Sequence, residues 1–186
     1  MGSRSLTADP NLRANRHPRR LADTGGSLRY ELNVIAANVA DAVAAVGGWM
    51  FDRGAAGWDV NVVIHGDHDG QPLRILGVGS LELDPWLSDA SHHRHRGAGI
   101  AVASDLLGTD DRIEAEVRIA LRRGDIEVVQ WGAPRPPCRV DSTDYRLSAA
   151  ARIFKAHALA AACLPDTPVS DSETLWHPRS DELIRV

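Results

Sequence analysis

Apolar residues recur along residues 28–46 in steps of three and four: Leu28, Leu32, Ile35, Val39, Val43 and Val46. That spacing lays side chains along one face of a helix. Ser27 precedes the run as an N-cap, and Gly47-Gly48 follow as a stop. The pattern therefore predicts a helix from residue 27 to about residue 46, with Asn33 and Asp41 off its apolar stripe. Such a stripe buries equally well in a core or against a second copy, so a homodimer is one expectation.

The period then changes. Trp58-Asp-Val-Asn-Val-Val-Ile-His65 alternates apolar and polar, the mark of a strand. The turn Gly66-Asp-His-Asp-Gly70 joins it to Leu73-Arg-Ile-Leu-Gly-Val-Gly79, and together they read as a β-hairpin. Residues 91–96 read as an exposed loop.

Residues 99–131 give the clearest unit. Gly99-Ile-Ala-Val-Ala-Ser104 is a short buried strand, and Thr109 or Asp110 caps a helix buried through Ile113, Val117, Ala120 and Leu121. Acids lead that helix and arginines close it, the order its dipole favours, with Gly124 as the C′ residue. Ile126-Glu-Val-Val-Gln-Trp131 is the next strand, so the unit is a βαβ crossover with parallel strands.

A Pro-rich connector (residues 133–137) leads to a last helix from about residue 143. The sum is an α/β protein: a small mixed sheet of about four strands, with a β-hairpin, a βαβ unit and helices packed on the sheet. Its organisation reads as a disordered basic arm (1–26), one α/β domain (27–163) and an acidic C-terminal tail (164–186).

Charge and composition narrow the chemistry. The net charge is −4, yet the arm carries five arginines against Asp9 and Asp23, so the body is the acidic part. A basic arm of this kind can contact nucleic acid, although it offers no aromatic side chain for base stacking. Lys155 is the sole lysine, which excludes a Gly-Lys-Ser/Thr phosphate loop. Cys138 and Cys163 have no paired metal-ligand spacing and read as reduced thiols. No apolar run reaches membrane-spanning length, and no signal-type apolar segment opens the chain, so no membrane partner and a cytoplasmic location are expected.

Five of the eight histidines lie between residues 65 and 95. His65, Asp67 and His68 follow a strand, and His92, His93 and His95 come from a later loop that could fold over them. Imidazoles plus a carboxylate suit zinc, manganese or iron with an open position, so these six are the metal-ligand candidates. No HExxH motif accompanies them. Asp105 follows the strand at 99–104, where α/β proteins seat ligands, and Asp84 follows another strand-like stretch; both are candidate ligand contacts. Trp86 and Trp176 sit in polar surroundings, where an exposed indole would anchor a partner. Gly77-Val-Gly79-Ser-Leu-Glu82 begins like a dinucleotide fingerprint but has Glu82 where a third glycine belongs.

The leading expectation from these patterns is a non-catalytic binding, regulatory or adaptor module for a protein or small-molecule ligand. The alternative is a metal-dependent hydrolase on the two histidine clusters, with metal-bound water as nucleophile. A nucleotide-binding protein ranks third.

Overall fold

The computed structural model describes residues 30–66, 68–89, 98–133 and 140–178. Twelve elements follow one another: β1 (Glu31–Ile35), α1 (Val39–Ala55), β2 (Asp59–Ile64), α2 (Gln71–Leu76), β3 (Gly79–Glu82), α3 (Leu83–Ser88), β4 (Ala98–Ala103), α4 (Asp111–Arg123), β5 (Glu127–Trp131), β6 (Val140–Arg146), α5 (Ala149–Ala161) and β7 (Ser172–Pro178). All seven strands form one mixed sheet in the order β3-β2-β1-β4-β5-β7-β6. The first five are parallel, and β7 runs antiparallel to both β5 and β6.

The α/β class and the βαβ unit hold: β4, α4 and β5 lie where the sequence placed them, and β4 pairs with β5 in parallel. Asp110 is the N-cap of α4, its carboxylate accepting from the Arg112 backbone N–H, and Gly124 closes the helix in the left-handed conformation at φ 68°. The sheet has seven strands rather than four, and three expectations are corrected.

The helix read over 27–46 is instead β1 followed by α1. In the middle of a parallel sheet both faces of a strand are buried, so β1 reads as an apolar run and merges with the stripe of the next helix. Leu32, Ile35, Val39, Val43 and Val46 are all buried in the core, which leaves that stripe unavailable to a partner copy. The hairpin is replaced by β2–α2–β3: Pro72 opens α2 and Gly77 ends it at φ 72°, and β3 then pairs with β2 in parallel. Part of the expected tail is β7, which inserts between β5 and β6. The basic arm lies outside the described residues.

Two cores sandwich the sheet. On one side Leu32, Val34, Val62, Ala101 and Val129 pack beneath α1, α2 and α5; on the other Ile35, Val63, Ile100, Val102 and Val128 meet Trp86 and α4. Helix α1 is broken at Val46, where φ is −132° and ψ 15°. The break frees backbone groups, and buried side chains satisfy them. Glu173 of β7 accepts from the Gly48 and Trp49 N–H groups at 2.9 and 2.8 Å. The Lys155 ammonium of α5 donates to Glu173 at 2.6 Å and to the Ala44 carbonyl at 2.7 Å. This cross-brace joins three elements inside the core.

Candidate functional site

Strand order fixes where a ligand would sit. The chain runs outward through α1 to β2 in one direction and from β4 through α4 to β5 in the other, so β1 and β4 flank a topological switch point. In open α/β sheets the crevice beyond the carboxyl ends of such strands is the usual ligand site. A cavity of about 780 Å³ opens there, within the range of small-molecule sites. Ala37, Asp41, Ala44 and Ala45 form one wall, from the end of β1 and the start of α1. Ala103, Asp105 and Thr109 come from the end of β4 and its following turns, and Trp131 with its two successors from the end of β5.

Local chemistry explains this wall. Asn38 is the N-cap of α1: its side-chain oxygen accepts from the Asp41 N–H at 2.8 Å, while its amide donates to the Asp41 carboxylate at 2.6 Å. The N-cap bond and the side-chain bond that answers it hold Asp41 in the first turn, on the lining of the crevice. Asp105 is exposed beyond β4, and the turn after it is fixed by Thr109, whose hydroxyl donates to the Asp105 and Leu106 carbonyls. The site therefore presents two carboxylates and one hydroxyl over an alanine and tryptophan floor.

The residues expected from sequence divide. Asp105 lies in the crevice. Asp84 does not line it; its carboxylate binds Arg112 at 2.9 Å beside a separate hollow of about 470 Å³ shared with Ser88 and Glu116. Arg112 also binds Asp110 at 2.8 Å, and that hydrogen bond holds the Asp110 carboxyl below its usual range. The same two carboxylates push the Arg112 guanidinium up.

His65 follows β2 and is exposed, its Nδ1 3.8 Å from Glu82 and 3.7 Å from Asp84. His68 lies 3.2 Å from the Gly66 carbonyl. Asp67, His92, His93 and His95 fall outside the described residues. Among the described residues no three His, Cys, Asp or Glu side chains are grouped to hold a metal ion.

Trp86 is buried at 6% exposure between the sheet and α4, so it is core rather than a partner anchor. Trp176 is half-buried in β7, paired with Gln130 and Ser142. The glycines of the supposed fingerprint end α2 and open β3, and the helix that follows, α3, starts only after that strand with the acidic Glu82 at its N-cap, so the nucleotide-binding reading loses its basis. Sequence reasoning missed Asp41 because it folded β1 and α1 into one helix; Asn38-Val-Ala-Asp41 carried the capping signal.

No family model matches this chain, and no curated protein matches its sequence. Solved structures do resemble it. The zinc-inhibited form of the teicoplanin deacetylase Orf2 is 13% identical at a TM-score of 0.56, covering 80% of this chain and 97% of that one. The A40926 pseudoaglycone deacetylase Dbv21 is 14% identical at 0.55, covering 82% and 98%. GalB, the 4-carboxy-2-hydroxymuconate hydratase of Pseudomonas putida KT2440, is 14% identical at 0.54, covering 81% and 95%. At these identities the likeness is one of fold: a mixed α/β fold around a seven-stranded sheet. The neighbours named are enzymes, two deacetylases and a hydratase, a finding that counts against the expectation of a non-catalytic adaptor. Among the described residues no helix is long and apolar enough to cross a membrane.

Among the described residues, the donor set in the crevice does not fit zinc. They line it with two carboxylates and a hydroxyl but no imidazole or thiolate, and zinc sites are built chiefly from those nitrogen and sulfur ligands.

Proposed function

We propose that this chain is an enzyme that adds water to a small organic substrate bound in the crevice between β1, β4 and β5, a hydrolase in the first instance. The observation that carries the reading is that Asp41 and Asp105 both line one cavity at the switch point. Deacetylation and hydration, the reactions of the neighbours named above, share one requirement: a base must take a proton from water as its oxygen bonds to an electrophilic carbon.

Asp105 is the candidate base. The water oxygen bonds to the acyl carbon as its proton passes to Asp105, and the carbon–nitrogen or carbon–oxygen bond then breaks as Asp105 hands that proton to the leaving group, which returns Asp105 to its ionised form. Asp41, a carboxylate held by Asn38, is the candidate for orienting the substrate or the departing amine through its remaining acceptor sites. Thr109, whose hydroxyl proton is held by the Asp105 and Leu106 carbonyls, offers its oxygen to the substrate as an acceptor.

The test is turnover of a panel of N-acetyl, O-acetyl and enone-type substrates by the full chain, beside Asp105→Asn and Asp41→Asn. Turnover that falls at least ~100-fold in Asp105→Asn, the usual contribution of a positioned base, supports the assignment. Unchanged turnover in both variants refutes it. Metal content is measured on the same preparation, purified without chelator. One ion per chain, lost in His65→Ala together with activity, would replace the two-carboxylate mechanism by a metal-assisted one at the histidine clusters.

A further inference from the structure

The crevice also carries information about what it accepts. Resting on the hydrolase reading, we infer that its ligand is an amphipathic amine: an ammonium or other cationic nitrogen on an apolar body, met as a substrate or as the amine a hydrolysis releases. The walls supply the two halves of that description. Ala44, Ala45, Ala103 and Trp131 give the lining its small and aromatic side chains, Ala103 and Trp131 through the small part of each that the core leaves uncovered. A hydrocarbon or ring buries against such a surface at about 25 cal/mol per Å² removed from water. A sugar or another polyhydroxylated ligand would find few hydrogen-bond partners on it.

The charge is one-sided as well. Asp41 and Asp105 put two carboxylates on the lining, and among the described residues that line the cavity none is Lys, Arg or His. The sole lysine is committed to Glu173 inside the core. The carboxylate of Asp41 takes one amide hydrogen from Asn38 and keeps acceptor sites for a second donor. A carboxylate or phosphate entering between the two acids would be repelled, whereas a cationic nitrogen would gain charge-assisted hydrogen bonds. The acidic body of the molecule adds long-range attraction of the same sign.

Binding of three matched probes to the full-length protein tests this: phenethylammonium, phenethyl alcohol and phenylpropionate, followed by calorimetry. Phenethylammonium is expected to bind about tenfold more tightly than the alcohol, a margin equivalent to one charge-assisted contact, with phenylpropionate weakest. In Asp105→Asn the ammonium should fall to the level of the alcohol while the alcohol is unmoved. Asp41→Asn provides a second variant, and circular dichroism checks the fold of both.

Phenylpropionate binding as tightly as the ammonium, an ammonium preference untouched by both variants, or binding of none of the three overturns the inference. The two readings separate cleanly. Ammonium selectivity without turnover of any substrate sinks the hydrolase reading alone. Turnover of a substrate without ammonium selectivity sinks this one alone.

Discussion

Replacing Lys155 by Met tests the cross-brace in the core. Lys155 and Glu173 have side chains only 5% and 3% exposed, so neither charge has water to fall back on. Glu173 receives three donors, the Gly48 and Trp49 N–H groups and the Lys155 ammonium; Lys155 also serves the Ala44 carbonyl. Lys155→Met would leave a buried carboxylate with two backbone donors and no countercharge. Breaking a buried pair from one side costs about 3–5 kcal/mol. At this chain length that corresponds to a fall in Tm of roughly 6–20 °C.

Glu173→Gln should cost a similar amount, because it strands the ammonium instead. The double variant removes both charges, and the Gln oxygen still accepts from the broken helix. It should therefore lose at least ~2 kcal/mol less than the two single losses added together, the coupling expected of groups in direct contact. Urea unfolding followed by far-ultraviolet circular dichroism measures all four proteins. Single losses below ~1 kcal/mol, or strictly additive losses, would refute the claim that the pair acts as a unit.

Three further outcomes follow from local geometry. A Cβ at Gly48 would lie 2.5 and 2.7 Å from the two Leu147 methyls and 3.1 Å from Glu173, so Gly48→Ala should destabilise by about 1–3 kcal/mol through overpacking, read as a shifted urea midpoint. Asp110→Ala should cost about 1 kcal/mol as a lost N-cap. Because Arg112 lowers the Asp110 carboxyl in the folded state, its contribution is present above the ordinary value of 3.8 and lost as pH falls through the lowered one; acid titrations of the parent and variant should converge at low pH. Burial first, and then Asp52, push the Tyr145 phenol above its usual 10.0, so its share of stability holds below that value and fades as pH rises through the raised one. Ultraviolet titration of Tyr145→Phe against the parent, which should show one late-titrating phenol missing, checks this.

Much of the parallel sheet was legible because its signals are local. The alternation at 58–65 and the capped, charge-ordered helix at 111–123 each speak for themselves, and β2 and α4 lie there. The failures share one cause: period is ambiguous when an element is short or buried on both faces. Leu73-Arg-Ile-Leu76 looked like a strand, and only Pro72 and Gly77 at its ends mark it as a helix.

β6 and β7 were less legible still. The polar run Val140–Arg146 suits the exposed edge of a sheet, where charged side chains discourage pairing with another molecule. Nothing in its own pattern names β7 as its neighbour. In the crevice, Asp105 could be placed from strand order alone, whereas Asp41 required the correct end of β1. The relation of Lys155 to Glu173 could not be read at all, because it exists only once α5 and β7 meet at the broken α1.

The reach of Glu173 into α1 has a temporal side. Gly48 and Glu173 are 125 residues apart in the chain. A ribosome adding about 5–20 residues per second makes the carboxylate roughly 6–25 s after the helix turn that needs it. Throughout that interval the Gly48 and Trp49 N–H groups at the break in α1 lack the carboxylate that later receives them. Among the described residues the first helix is thus completed by the last strand, and a nascent chain stopped short of residue 173 would hold a sheet whose opening helix is still unfinished.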